Sequence, residues 1–215
     1  MFIGHYGIGF AAKKAAPTVS LGTLFLAAQF LDLLWPTLVM LGIEQVRIKP
    51  VGTPGFPLIF AHYPISHSLL TAVGWSLLLG AMYYILRRHR TAAIVVGLTV
   101  LSHWLLDLIV HFPDLPIYPA GPKLGLALWA HPLASNALEL AIFAVGVWLY
   151  QRTTAPVNAV GKWALWLLVI FLVVIQISNA LSPPPPSVMA LAWTGQAQWL
   201  LVAWGYWIDR HRRTR

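Results

Sequence analysis

The sequence has no cysteine and few charged residues. Only 9% of its 215 residues are Asp, Glu, Lys or Arg, whereas a soluble domain carries about 25%. The absence of cysteine excludes disulfides, thiolate metal sites and cysteine nucleophiles. Hydrophobic residues make up 59% of the chain, which also contains 11 tryptophans. This composition predicts an integral membrane protein.

The apolar segments predict an all-α, polytopic membrane helical bundle. A helix needs about 20 residues to cross about 30 Å of hydrocarbon. Six segments reach this length, at approximately 21–43, 66–86, 91–112, 131–150, 161–181 and 187–208. We expect one integral membrane domain over residues 1–215, in which residues 1–150 carry the polar site. The last two spans, within 159–208, buttress it.

The basic residues predict how the bundle is oriented. The net charge is +8, but the Lys and Arg residues lie at segment ends, so no nucleic-acid partner is predicted. In a six-span arrangement all of them except Arg47, Lys49 and Lys123 fall on one side. The positive-inside rule then predicts a multi-pass protein of the cell inner (plasma) membrane with both termini cytoplasmic. Connections 44–65 and 113–130 would face outward.

The first dozen residues are too few for a full span. If Lys13 and Lys14 mark the inner surface, HYGIGFAA forms a short N-terminal helix. That helix either lies along the membrane surface or enters the bundle. Only the second arrangement would bring His5 to the interior.

A polar stripe crosses the third predicted span. His103, Asp107 and His111 are four residues apart, and this spacing rotates each position by only about 40° around a helix. Ionisable groups at membrane depth are costly, and they usually line a cavity, pair with one another or hold an ion. The stripe is therefore the first candidate for a functional site.

Polar groups on other spans fall at a similar depth. Counted from the inner ends, Asp32, His103 and Glu139 lie roughly 17, 18 and 17 Å into the membrane, at about 1.5 Å per residue. Further groups are expected above them, toward the outer mouth: Asp107, His67, His111 and His131. Together they predict a cavity that opens to the extracytoplasmic side.

Histidine and carboxylate side chains from separate helices are typical ligands of zinc, and also of manganese or iron. Without cysteine, a closed structural zinc site is not expected. We predict one or two divalent ions, with zinc as the expected metal, and room for a water that such a metal acidifies to a pKa of about 7. A scaffold in which these groups only fix helix packing is the simpler alternative.

Several polar residues near the outer mouth are candidates for substrate binding. Lys123 could meet a phosphate or be an ordinary interfacial lysine, and His62 could contact substrate or only support its loop. Asp114 could orient His111 or cap the turn at Pro113. The predicted substrate-binding residues are His62, Ser68, His111, Lys123 and His131.

Four motifs in order carry a family resemblance: His5, LDLLWP with Asp32, SHS at 66–68 and SHxxxD at 102–107. Over residues 1–150 the chain resembles the LexA-regulated type of inner-membrane metal-dependent hydrolases. That family is distantly similar to zinc-dependent phospholipases C and single-strand-specific zinc nucleases. A second acid expected beside Asp32 is absent, as is the HxxxE pair of the phospholipases. The resemblance implies these metal ligands or near neighbours: His5, Asp32, His67, His103 and Asp107, with Glu139 as a later carboxylate.

These observations predict a membrane-embedded, metal-dependent hydrolase of the phosphoesterase class. A metal-activated water would attack phosphorus, and Asp32 or Asp107 would be the catalytic carboxylate that orients or deprotonates it. The expected partners are membrane lipids and a phosphorylated or lipid substrate such as a phospholipid head group. The alternative is an ion or metal transporter with an intramembrane His/Asp site.

Overall fold

The computed structural model describes residues 1–50 and 56–215, and the all-α class is confirmed for this part of the chain. The helices are α1 (Ile3–Ala15), α2 (Leu21–Ala28), α3 (Phe30–Met40), α4 (Pro64–His67), α5 (Leu69–Arg87), α6 (Arg90–Val110), α7 (Pro132–Thr153), α8 (Ala159–Leu181), α9 (Val188–Gln196) and α10 (Gln198–Asp209). A 3₁₀ turn covers Leu128–Ala130.

Short antiparallel strand pairs lie outside the helices, two of them within connections and the third between the connection after α7 and the segment after α10. They are β1 (Gln45–Ile48) with β2 (Leu58–His62), β3 (Leu115–Pro116) with β4 (Lys123–Leu124), and β5 (Thr154–Pro156) with β6 (Arg212–Thr214). In the first pair Val46 lies opposite Phe60. These ribbons satisfy backbone hydrogen bonds where the chain leaves one helix and enters the next.

Four helices in the described residues are long and apolar enough to cross a membrane: α5, α6, α7 and α8. The pair α2 and α3 would make a fifth span, but it is bent by 56°. The predicted sixth span, 187–208, is divided into α9 and α10 at Ala197. Six continuous spans are therefore not confirmed, and four or five fit the helices that are present.

The outward faces of these helices are apolar. Along α5 only Ala72 is buried, while Leu77 and Leu86 are 69% and 74% exposed. Leucine side chains exposed in this way have no polar partner to satisfy and are typical of surfaces that face lipid. The long apolar helices are thus compatible with a membrane protein.

The N-terminal helix α1 lies inside the bundle, which is one of the two arrangements that the sequence leaves open. Ile3, Tyr6 and Phe10 have no exposed surface, and the core cluster they join includes residues of α2, α7, α8 and α10. At its far end Lys13 donates to Asp209 Oδ1 at 3.0 Å and to the Val19 carbonyl oxygen at 2.7 Å. His5 is thereby carried into the interior.

Glycines allow α1 and α7 to pack backbone against backbone. A Cβ at residue 7 would lie 2.8 Å from the Ile142 carbonyl oxygen and from Phe143 Cα, and one at residue 146 would overlap the carbonyl oxygen of Gly7. Close approach of this kind requires small residues on both helices. The crossing at Gly7 and Gly146 sets where His5 lies relative to α6.

A break at Gln29 separates α2 from α3. Gln29 has φ −104° and ψ 6°, between the regular helices on either side. The carbonyl of Ala28 is at the end of α2, where a helix leaves its carbonyl groups without helical partners. It accepts a hydrogen bond from a histidine of α6 instead.

Candidate metal centre

The Asp107 carboxylate is the point on which four imidazoles converge. Asp107 lies in the last two turns of α6, and its side chain is only 2% exposed. Oδ1 faces α1, and Oδ2 faces α4, α6 itself and the residue that follows α6. The distances are 3.1 Å from His5 Nε2 to Oδ1, and 3.3, 3.8 and 3.8 Å from Nε2 of His103, His67 and His111 to Oδ2.

Asp32 is a second carboxylate that faces the same Nε2 atoms of two of these imidazoles. Its Oδ1 is 3.4 Å from His67 Nε2 and 3.7 Å from His103 Nε2. Asp32 belongs to α3, directly after the break at Gln29, and its side chain is 22% exposed. It is therefore the more accessible of the two carboxylates.

The other ring nitrogen of three histidines is held by a neighbouring group. His103 Nδ1 donates to the Ala28 carbonyl oxygen at 2.7 Å, and His111 Nδ1 donates to Asp114 Oδ1 at 2.9 Å. His67 Nδ1 lies 2.6 Å from Ser66 Oγ. Because a carbonyl or carboxylate oxygen can only accept, Nδ1 of His103 and His111 carries the proton. The lone pair of each neutral ring then lies on Nε2, which faces Asp107.

Lone pairs that face a buried carboxylate oxygen repel it unless a proton or a cation lies between them, and at Asp107 Oδ1 the Met1 amino group supplies such a cation. His103 Nε2 is buried and has no hydrogen-bond partner, although a buried polar atom normally has one. Two ligand atoms of a tetrahedral zinc lie about 3.3 Å apart, since each is about 2.0–2.1 Å from the metal. The nitrogen–oxygen distances run from 3.1 to 3.8 Å, so the shorter ones match the separation of two ligands on one zinc ion.

Two groups of three residues could hold a metal ion within the described part of the chain. One consists of His5, His103 and Asp107, and the other of Asp32, His67 and His103. His103 is common to both, and its ring stacks on that of His5 with the centroids 3.6 Å apart. Five of the six predicted ligands are therefore brought together.

Glu139, the sixth predicted ligand, lies at the N-terminal end of α1. Its Oε2 accepts hydrogen bonds from the backbone N–H of Phe2 at 2.6 Å and of Gly4 at 3.4 Å. The Met1 amino group, in the same segment, contacts Asp107 Oδ1. Glu139 thus fixes the segment that carries His5, and it does not join either of the two groups found among the described residues.

His111 lies closer to Asp107 than the sequence predicts. Counting helical rise places it at the outer mouth, but α6 ends at Val110 because Phe112 precedes Pro113 and is disfavoured in a helix. His111 has an extended backbone, with φ −63° and ψ 146°. Its Nε2 lies 3.8 Å from Asp107 Oδ2.

None of the other predicted substrate-binding residues forms an ion pair or hydrogen bond with Asp32 or Asp107 in the part of the chain that the structure describes. His62, Lys123 and His131 are exposed, and Lys123 Nζ is 3.5 Å from the Ala61 carbonyl oxygen. Ser68 is buried and caps α5, where its Oγ accepts from the backbone N–H of Thr71. Among the predicted substrate-binding residues, His111 is the one that the structure places at the carboxylates.

Two polar residues that the sequence does not single out support the histidines. Tyr63 donates to Asp114 Oδ1 at 2.9 Å, the same oxygen that holds His111. Glu44 accepts from Ser66 Oγ at 2.5 Å, and Ser66 contacts His67. The one available signal was that Glu44 is among only six acidic residues in the chain.

Burial sets the ionisation of His111 and Tyr63, two groups that contact Asp114. It lowers the pKa of the His111 imidazole, against the opposing effect of Asp114. Burial also raises the pKa of Tyr63, and the negative charge of Asp114 adds to that effect. His111 is therefore neutral near pH 7 and can offer a lone pair, while Tyr63 stays protonated and can donate.

Aromatic rings line the side of the site beside His111. The ring centroids of Trp129 and Phe60 lie 4.1 and 5.0 Å from that of His111. Phe56 stacks on Trp129 with centroids 3.7 Å apart. These residues come from the connections 44–65 and 113–130 and form an apolar wall next to His111.

No family model, curated protein or solved structure matches this chain. The resemblance to inner-membrane hydrolases therefore stays a prediction from the motifs.

Proposed function

We propose that this chain is a membrane-embedded, metal-dependent hydrolase of phosphoesters such as phospholipid head groups. The observation that carries the proposal is the convergence of imidazole Nε2 atoms on Asp107, with Nδ1 of His103 and His111 already committed to hydrogen bonds. A neutral imidazole oriented by a second group is the usual form of a metal-ligating histidine.

Zinc is the metal we infer from the donor set. Nitrogen and carboxylate oxygen without thiolate suit a catalytic rather than a structural zinc site. A bound ion of this kind acidifies water and offsets negative charge on phosphoryl oxygens. His5, His103 and Asp107 would hold it, three ligands that leave a fourth position for water, and their low exposure keeps bulk water away from the ion. His67 belongs to the second group, with Asp32 and His103, which would hold a second ion.

Asp32 is suited to act on the attacking water because its carboxylate is the more exposed one. It would accept the proton as the water oxygen bonds to phosphorus and the bond to the leaving oxygen breaks. The same proton then passes to the leaving oxygen. Asp107, being buried, is the carboxylate better suited to holding the ion.

Lipid substrates are supported by the surroundings of the site. The apolar wall of Phe60, Trp129 and Phe56 lies beside His111, and the exposed faces of the long helices are apolar. We infer that the site opens on the extracytoplasmic side, because the basic ends of the predicted spans lie at the other end. Both termini would then be cytoplasmic.

The proposal is tested by metal removal. We expect the purified protein to carry one or two equivalents of divalent metal and to cleave phospholipids or a phosphodiester. Chelation should abolish that activity, and addition of Zn²⁺ should restore it. His103→Ala should not regain activity. The matched variant is His211→Ala, which removes a histidine that contacts Asn158 and belongs to neither metal group. It should behave as wild type.

Elemental analysis and the hydrolysis assay together decide the outcome. A folded protein free of metal, with no activity on any phosphoester after Zn²⁺ addition, would contradict the proposal. Metal-dependent flux in proteoliposomes without hydrolysis would point to the transporter instead.

A further inference from the structure

Glu44 is a buried carboxylate that the proposed chemistry does not use. It lies between α3 and β1 and is 1% exposed. Its Oε1 accepts from the backbone N–H groups of Ile65 and Ser66, each at 2.8 Å, and its Oε2 accepts from Ser66 Oγ at 2.5 Å. The whole carboxylate is thus directed at the turn that carries His67.

The hydrogen-bond directions in this chain of contacts follow from the chemistry of each group. An ionised carboxylate only accepts, so the Ser66 hydroxyl donates its single proton to Glu44. Ser66 Oγ lies 2.6 Å from His67 Nδ1, and with its proton committed it can only accept there. The His67 imidazole must therefore carry its proton on Nδ1, which leaves the lone pair on Nε2.

His67 differs in this respect from the other oriented histidines. His103 and His111 donate directly to oxygens that cannot donate back. The partner of His67 is a hydroxyl, which can donate or accept, so its direction needs a further group to fix it. Glu44 is that group among the contacts of Ser66 in the described residues.

We propose that Glu44 is a positioning residue that acts through Ser66 to hold His67 in the Nδ1–H form, with Nε2 free for a metal. This rests on the proposed function, because Nε2 faces Asp32 Oδ1 at 3.4 Å and Asp107 Oδ2 at 3.8 Å. Groups that orient a ligating histidine typically affect metal affinity by about 10–100-fold.

Glu44→Gln separates this role from a structural one. The glutamine side-chain oxygen can still accept from the Ile65 and Ser66 N–H groups, so the turn is retained. Its NH₂ group would then donate to Ser66 Oγ, and the serine proton would turn toward His67 Nδ1. The imidazole would be driven to the Nε2–H form, in which the nitrogen that faces the carboxylates has no lone pair.

The first measurement is ¹⁵N NMR of histidine-labelled, metal-free protein, with the His67 signals assigned by their loss in His67→Asn. We expect Nδ1–H in wild type and Nε2–H in Glu44→Gln. The control Ser68→Ala removes a hydroxyl one residue beyond His67 that caps α5; it should leave the tautomer of His67 unchanged.

The second measurement is Zn²⁺ affinity by competition with a chromophoric chelator. Glu44→Gln should weaken binding about 10–100-fold, and Ser66→Ala about 10-fold. The double variant should bind no more weakly than Ser66→Ala, because without the hydroxyl the amide introduced by Glu44→Gln cannot influence the ring. Ser68→Ala should bind as wild type.

Two results would contradict the action of Glu44 through Ser66: losses of Zn²⁺ affinity that add up in the double variant, or a His67 imidazole that stays in the Nδ1–H form in Glu44→Gln. Either result would leave Glu44 with a structural role. Failure of the wild-type protein to bind metal would contradict the proposed function alone. The NMR measurement on metal-free protein would still decide the role of Glu44.

Discussion

Asp107→Asn is expected to lower the affinity for divalent metal by more than about 100-fold and to abolish metal-dependent hydrolysis. Groups behind a metal ligand typically affect affinity by about 10–100-fold, and Asp107 is placed as a ligand itself. Its two oxygens face the Nε2 atoms of four imidazoles at 3.1–3.8 Å. Asparagine keeps the shape but removes the charge, and its NH₂ group would donate to the lone pairs that the metal needs.

Asp209→Asn is the matched control, because it makes the same change in another ion-paired aspartate. Asp209 pairs with Lys13 at 3.0 Å, at the opposite end of α1 from His5. We expect this variant to melt at a lower temperature while it keeps its metal content. Metal content is measured by elemental analysis and chelator competition. If it were equal in wild type and Asp107→Asn, Asp107 would not be a metal ligand.

The part of the site that could be predicted depends on spacing within one helix and on depth across several. His103 and Asp107 are four residues apart, so any α-helix over them brings the side chains together. Asp32 was predicted because its depth matches that of His103 and polar residues at membrane depth tend to meet one another, whereas His67 entered the ligand set through the family resemblance. The helical rise and the position of each apolar segment are enough to predict how His103, Asp107 and Asp32 lie.

The part that could not be predicted depends on where helices end and on distant loops. His111 has an extended backbone because α6 stops at Val110, one residue earlier, and its Nε2 lies 3.8 Å from Asp107 Oδ2. An error of one or two residues at a helix end changes the direction of a side chain. Glu44 contacts residues about twenty positions along the chain, through a connection with no helical periodicity. Spacing carries no information about such a pair.

The fold shows the same division between local and distant effects. Apolar length predicted α5, α6, α7 and α8. The break at Gln29 has no proline or glycine to mark it, while Pro36 lies within α3. The break is stabilised by a contact from another helix, in which His103 donates to the freed Ala28 carbonyl oxygen. A feature that depends on such a contact is fixed by tertiary packing rather than by local sequence.

Gly146→Ala is expected to destabilise the bundle by about 1–3 kcal/mol or more, the usual cost of overpacking, and to weaken metal binding as well. The added methyl group would overlap the carbonyl oxygen of Gly7, which is backbone and cannot rotate away. Helix α1 would have to move off α7. His5 lies two residues from Gly7, so its 3.1 Å contact with Asp107 would lengthen together with the contacts of Glu139 to the start of α1.

Gly74→Ala separates this effect from the general effect of a helical Gly→Ala change. A Cβ at residue 74, within α5, meets nothing within 4 Å, and alanine in a helix is favoured over glycine by about 0.5–1 kcal/mol. In thermal unfolding Gly74→Ala should therefore be as stable as wild type or more stable, and its metal affinity should be unchanged. Gly146→Ala should have both a lower stability and a lower metal affinity. If Gly146→Ala lost stability but bound metal as wild type does, the α1–α7 crossing would support the fold without setting the position of His5. If it lost neither, the close approach of the two helices would itself be wrong.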